Sequence, residues 1–263
     1  MTRSEEPVVL IDALDDIRIV TLNRPEVLNA VNADLHARLA EIWTELAADE
    51  AAKAVVLIGA GRAFSAGGDV AHLQAHSSDA ALRERSIRYD RRLQTEMLHF
   101  PLPVVAAVNG PAVGLGCSLA LGCDIVFMAE SAYIADPHVS VGLVAGDGGV
   151  TFWPLLTSLL LAKEYLFTGE KIDAQTAVRL GLANRVVADE DLRDQAIAFA
   201  RRLAAQPSQA LRSTKAALNL VLEQVARSGT EAALIAERET MASPDFARIT
   251  TRMAGRREQG SGS

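Results

Sequence analysis

A strand that runs straight into a glycine loop constrains its chain severely, because the loop backbone occupies conformations that side chains forbid. This sequence has two such passages. In the first, Val55-Val56-Leu57-Ile58 delivers the chain to Arg62-Ala63-Phe64-Ser65-Ala66-Gly67-Gly68-Asp69. In the second, Val104–Val108 leads into Asn109-Gly110-Pro111-Ala112-Val113-Gly114-Leu115-Gly116-Cys117 and then into an apolar helical stretch. A glycine loop that opens a helix presents N–H groups without intrahelical partners and the positive end of a helix dipole. Two such loops brought together make a pair of backbone donors for one oxygen, an oxyanion site.

Around these passages strand and helix patterns alternate, which predicts an α/β core. Residues 8–11 and Ile17–Leu22, separated by Asp15-Asp16, read as a hairpin. Asn32 is placed to cap a helix that carries Leu35, Leu39, Ile42, Trp43 and Leu46 at helical spacing. Residues 70–80, mixed and polar with His72 and His76, read as a mobile loop beside the site, and 81–99 as an amphipathic helix. Strands over 125–128 and Tyr133–Ala135 lead to Asp136-Pro137-His138, and Gly146-Asp147-Gly148-Gly149 keeps the following backbone irregular. From Leu192 onward only helical patterning remains. The expected organisation is a core over 1–200, a helical region over 201–258 and a flexible polar tail over 259–263.

A net charge of -7 argues against a general nucleic-acid surface, although a few local arginines could still serve a bound polyanion. No apolar run approaches bilayer-spanning length, and Met1-Thr2-Arg3-Ser4-Glu5-Glu6 is acidic where a signal peptide is apolar, so a cytoplasmic protein without membrane partners is expected. Cys117 and Cys123 lie on one predicted helix at a spacing that does not bring them together, which predicts two reduced thiols. No metal-ligand spacing is present, and no metal is expected.

Five segments, in order along the chain, resemble the crotonase superfamily, the enoyl-CoA hydratase and isomerase group. They are Leu22-Asn23-Arg24-Pro25 with Leu28-Asn29-Ala30, the two glycine loops, Phe167-Thr168-Gly169-Glu170, and Ala177-Val178-Arg179-Leu180-Gly181-Leu182-Ala183. The resemblance implies a spiral of ββα units with a C-terminal helical region that packs into homotrimers, often paired as hexamers. It implies a substrate that is an acyl-CoA thioester, with coenzyme A part of the substrate and no separate cofactor. The thioester oxygen would accept from the N–H groups of Gly68 and Leu115. The Ala66 carbonyl would take the adenine amino group, Arg24 would face phosphates, and Met253 and Arg256 match positions that touch coenzyme A.

The sequence departs from that pattern at the chemistry. Hydratases of the group carry two catalytic glutamates, and the matching positions here hold Ser118 and His138. Imidazole titrates near neutrality, so His138 is the candidate acid/base, with Asp147 the carboxylate expected to fix its tautomer. Ser118 reads as a small residue against the substrate. The His138 to Asp147 spacing, with Gly146-Asp147-Gly148 and Trp153-Pro154, also resembles the β-diketone hydrolase branch. Three readings follow: an enoyl-CoA hydratase/isomerase using His138, a hydrolase of a diketone or thioester with water activated by His138 and Asp147, and an acyl-CoA binder of low catalytic power.

Overall fold

A computed structural model of the chain describes residues 6–260, with the side chains of 225–228 and 257–260 left aside. The acidic start, apart from Glu6, and the last three residues of the expected tail lie outside the described residues. Nine strands are described: β1 (Val9–Leu14), β2 (Ile17–Leu22), β3 (Ala54–Gly59), β4 (Val104–Val108), β5 (Ala112–Val113), β6 (Ile125–Ala129), β7 (Tyr133–Ala135), β8 (Ile172–Asp173) and β9 (Arg185–Val187). Six form one sheet in the order β1-β2-β3-β4-β6-β9, and three form a smaller sheet in the order β5-β7-β8. The hairpin is as expected: β1 and β2 are antiparallel, and Leu14 faces Ile17 across a two-residue turn in which Asp15 takes φ 56°. Along the rest of the larger sheet, from β2 through β3, β4 and β6 to β9, the pairing is parallel.

Parallel strands covered on both faces read as continuous apolar runs, and β3 and β4 are buried at every position. Their register sets Val55 opposite Val104 and Ile58 opposite Ala107. Both strands therefore end at the same edge of the sheet, and the two glycine loops leave it side by side.

The helices follow in chain order: α1 (Ala33–Ala48), α2 (Val70–His76), α3 (Ala80–His99), α4 (Leu115–Leu121), α5 (His138–Val141), α6 (Gly149–Leu156), α7 (Leu159–Thr168), α8 (Ala174–Leu180), α9 (Leu192–Ala204), α10 (Ser208–Met241) and α11 (Pro244–Gly260). Asn32 caps α1, its side chain accepting from the Leu35 N–H at 3.0 Å. The expected mobile loop over 70–80 is instead mostly helix. Asp69 caps α2 by accepting from the Ala71 N–H at 3.0 Å, and Asp79 caps α3 by accepting from the Leu82 N–H at 2.9 Å. Two aspartate caps outweigh a polar composition, which turns out to mark an inward helix face rather than a loop.

Helix α9 crosses the expected 200/201 boundary and packs on β2, β3, β4 and β6, so it belongs to the core. Helix α11 continues through Gln259 and Gly260, the first two residues of the expected tail. Cys117 and Cys123 are buried and unpaired. Among the described residues no helix is long and apolar enough to cross a membrane.

Candidate active site

The two glycine loops are stitched together by backbone. Ser65 bridges Ala112, with the Ser65 N–H donating to the Pro111 carbonyl at 3.0 Å and the Val113 N–H to the Ser65 carbonyl at 2.9 Å. Gly67 takes φ 84°, and a Cβ there would lie 2.7 Å from the Val113 carbonyl oxygen, so only glycine permits this approach. Val31 pairs with Gly68 through the Gly67 carbonyl (2.7 Å) and the Asp69 N–H (3.0 Å), which leaves the Gly68 N–H unused by that pairing. Leu115 is the first residue of α4, where an N–H has no acceptor within the helix. Gly68 and Leu115 line the same cavity. Asn29 supports the first loop from behind, its amide donating to the carbonyls of Ala60 (2.9 Å) and Ala63 (2.8 Å) and accepting from the Arg24 N–H at 2.8 Å.

Beside this cradle stands His138, at the start of α5. The position where a Gly114 Cβ would lie is 3.5 Å from His138 Cε1, so the imidazole sits against the loop that presents Leu115. Two carboxylates hold the ring. Nδ1 is hydrogen bonded to Oδ1 of Asp136, and Nε2 lies 3.1 Å from Oδ2 of Asp147, whose Oδ1 accepts from the Ser118 hydroxyl at 2.9 Å. Gly148, at φ 142°, lets the loop carry Asp147 against Ser118, since a Cβ there would lie 2.8 Å from that of Ser118.

Burial alone disfavours a charged His138, but Asp147 and Asp136 outweigh it and hold the imidazole pKa well above the usual histidine range. Burial also works against the Asp147 carboxylate, and His138 with the Ser118 hydroxyl prevails, lowering its pKa. Both shifts favour an imidazolium–carboxylate couple, whose protons belong to the pair. Two expectations change. Asp136, not Asp147, fixes the Nδ1 side, while Asp147 meets Nε2. A base with an ordinary histidine pKa does not describe a ring held between two carboxylates. Asp136 was legible as part of Asp136-Pro137-His138, but two-residue proximity gave no sign that its side chain would reach the ring.

The Asp136, His138 and Asp147 ligand atoms all lie within 4.8 Å of one another, a spacing that could also suit a cation. With both ring nitrogens facing carboxylates, however, the imidazole serves as a double donor, and ion pairing accounts for the cluster.

The cavity, about 220 Å³, has room for a short acyl group. Its reactive wall comprises Ala66, Gly67, Gly68, Gly114, Leu115, His138 and Asp147, and a second wall comes from α1, α2, α3 and α10. Glu237 of α10 is buried there, and burial with the nearby Asp90 and Asp147 pushes its carboxyl pKa well up. Sequence reasoning passed over Glu237. Its signal was a glutamate on the buried stripe with Leu234 and Met241.

The enoyl-CoA hydratase/isomerase family model matches residues 13–258. The chain belongs to that family. It is 51% identical to an enoyl-CoA hydratase/isomerase from Mycobacterium paratuberculosis of known structure, with a TM-score of 0.92 over 95% of this chain and 99% of that one. It is 37% identical to the 1,2-epoxyphenylacetyl-CoA isomerase of Escherichia coli over 77% of this chain and 78% of the relative. It is also similar to a β-diketone hydrolase from Anabaena bound to (S)-3-oxocyclohexyl acetic acid, at 27% identity and a TM-score of 0.84, over 91% of this chain and 96% of that one.

The other expected positions fall differently within this family frame. Ala66 and Met253 line the cavity. Arg24 instead turns inward, hydrogen bonded to the Ala30 carbonyl and 3.8 Å from Asp69, and braces the first loop. Arg256 is exposed on α11. Ser118 is buried, and its hydroxyl proton is committed to Asp147.

Proposed function

We propose that the protein is a cytoplasmic enzyme that binds an acyl-CoA thioester with its carbonyl oxygen between the N–H groups of Gly68 and Leu115. The enolate that forms there is stabilised electrostatically, an effect worth on the order of 10² to 10³ in rate for a single aimed donor. Proton transfer at carbon is assigned to the His138–Asp147 couple, with Asp136 orienting the ring. Family membership supports an acyl-CoA substrate, and the cradle supplies the polarising element such a thioester needs.

Of the two reactions in the family's name, the geometry favours migration of a carbon–carbon double bond. The observation that carries this is the Ser118 to Asp147 hydrogen bond. It ties the second family position to the same proton-carrying unit, so the two positions act as one unit rather than as two separate groups. A couple that removes a proton from one carbon and returns it two carbons away needs no second acid. Incubation with a 3-enoyl-CoA in deuterium oxide should give a conjugated 2-enoyl thioester, visible by its absorbance. Rapid hydration of a 2-enoyl-CoA with no double-bond migration would overturn this preference.

A second reading is hydrolysis. The Asp136–His138 pair resembles the carboxylate–imidazole arrangement that activates water, and the likeness to the Anabaena hydrolase supports it. Release of free coenzyme A or cleavage of a cyclic β-diketone would favour it. We also assign a trimer or hexamer, supported by the exposed apolar side chains Val139, Leu159, Leu160 and Phe167 on the packed helices α5 and α7. A stable monomer in light scattering at micromolar concentration would contradict that assembly.

A further inference from the structure

The cavity is not lined by hydrocarbon alone, although Val31, Leu73, Leu143 and Met241 contribute to it. His36, His72, His76, Ser86 and Asp90 all line it. His36 Nε2 lies 2.7 Å from Asp90 Oδ1, and His76 Nε2 lies 2.7 Å from the Ser86 hydroxyl, so these four are paired within the wall. The rings of His72 and His76 meet edge to face, 4.5 Å between centroids. Two ring nitrogens here are buried with no hydrogen-bond partner in the protein, Nε2 of His72 and Nδ1 of His76; the His76 ring is still held by Ser86 through its other nitrogen, whereas among the described residues the His72 ring makes no side-chain hydrogen bond. Oε2 of the 3% exposed Glu237, which also lines the cavity, is likewise unpartnered.

A buried polar atom that meets only hydrocarbon keeps its full desolvation penalty, whereas one that meets a donor or acceptor does not. We propose that the substrate's acyl group carries an uncharged oxygen function, a hydroxyl or a carbonyl, away from the thioester, and that His72 is a specificity-determining residue that hydrogen bonds to it. This deepens the acyl-CoA reading above and rests on it.

Charge argues for an uncharged group. Among the described residues neither lysine nor arginine lines the cavity, and the His138 imidazole is already held between two carboxylates, so a distal carboxylate would find no free counter-cation. Burial, with His36 nearby, lowers the His72 pKa to about 4, and burial with His72 does the same for His76. Neutral imidazole both donates and accepts, which suits a hydroxyl or a carbonyl equally.

The test uses the full-length protein and three CoA thioesters of matched chain length, ending in a methyl, a hydroxyl or a carboxylate. Wild type is expected to favour the hydroxyl-bearing ester over the methyl-ended one by at least about tenfold in kcat/KM, since a site built to hydrogen-bond a group rejects the analogue without it. In His72→Phe that ratio should fall to below about threefold, mainly through KM. Equal or better use of the methyl-ended ester by wild type, preference for the carboxylate, or an undiminished ratio in His72→Phe each overturns the proposal. If none of the esters is turned over, calorimetric titration with the saturated analogues of the same three ends decides. Tighter binding of the hydroxyl analogue then supports the polar wall even as the assigned chemistry fails, and no binding of any analogue overturns both.

Discussion

His138 and His72 line one cavity, both largely out of water, and their pKa values move in opposite directions. Burial pushes both rings toward the neutral form. His138 goes the other way because Asp136 and Asp147 approach its two nitrogens, whereas the ring nearest His72 is another imidazole, that of His76. Burial alone therefore does not tell what a histidine in a pocket does. The charge facing each nitrogen decides whether it carries a proton to the substrate or only recognises it.

The largest effects should come from breaking the charged end. His138→Ala and Asp147→Asn should each lower turnover by roughly 10² to 10⁴, the range of acid–base catalysis. A folded His138→Ala variant with wild-type turnover would falsify the assignment. Gly68→Pro removes an N–H from the cradle and should cost at least ~10², with folding checked by circular dichroism. Full activity in that variant would rule the cradle out.

Asp136→Asn should cost less than loss of the ring, and its sharper readout is the pH profile. Asp136 raises the His138 pKa, so its removal should move the alkaline limb toward neutrality. An unmoved limb would show that Asp136 does not act through the ring.

The neutral end gives a stability effect of the opposite sign to the charged one. Unfolded histidine titrates near 6.5 and folded His72 and His76 near 4, so the unfolded chain binds more protons in between. Their contribution is fully present above about pH 6.5 and is lost as pH falls toward 4. The raised pKa of His138 works in reverse, stabilising below about pH 6.5 and fading only as pH rises through its folded value. Tm measured between pH 7 and pH 4.5 should fall less steeply in His72→Phe than in wild type; parallel slopes would mean that His72 does not resist protonation. The smallest effect is Ser118→Ala, a few-fold loss from a less firmly held Asp147. A loss as large as that of His138→Ala would make Ser118 a direct participant.

The charged end was legible in the sequence and the neutral end was not, for a physical reason. Gly67-Gly68, Gly114-Leu115 and His138 sit in short local patterns, where loop geometry follows from neighbouring residues, and the structure places them around one cavity. His36, His72, Asp90 and Glu237 come from four different helices, and only packing brings them together. Each left a trace as a polar residue near an apolar stripe, such as Asp90 among Ile87, Leu93 and Met97. That trace alone does not separate a cavity wall from a solvated face. The strands were readable from apolar runs, whereas α2 was missed because its cap, Asp69, was read as the end of a loop rather than the start of a helix.

The first glycine loop hangs on one side-chain amide, that of Asn29. Its side-chain nitrogen donates to the carbonyls of Ala60 and Ala63, and an aspartate there would replace that nitrogen with an oxygen, turning two attractive contacts into repulsive ones. The same residue sits fully buried with φ 55°, a backbone conformation that asparagine tolerates better than most residues. An Asn29→Asp variant would therefore loosen the first glycine loop while every reacting group stayed intact, so its loss of activity should come with a lowered Tm and unchanged His138 titration.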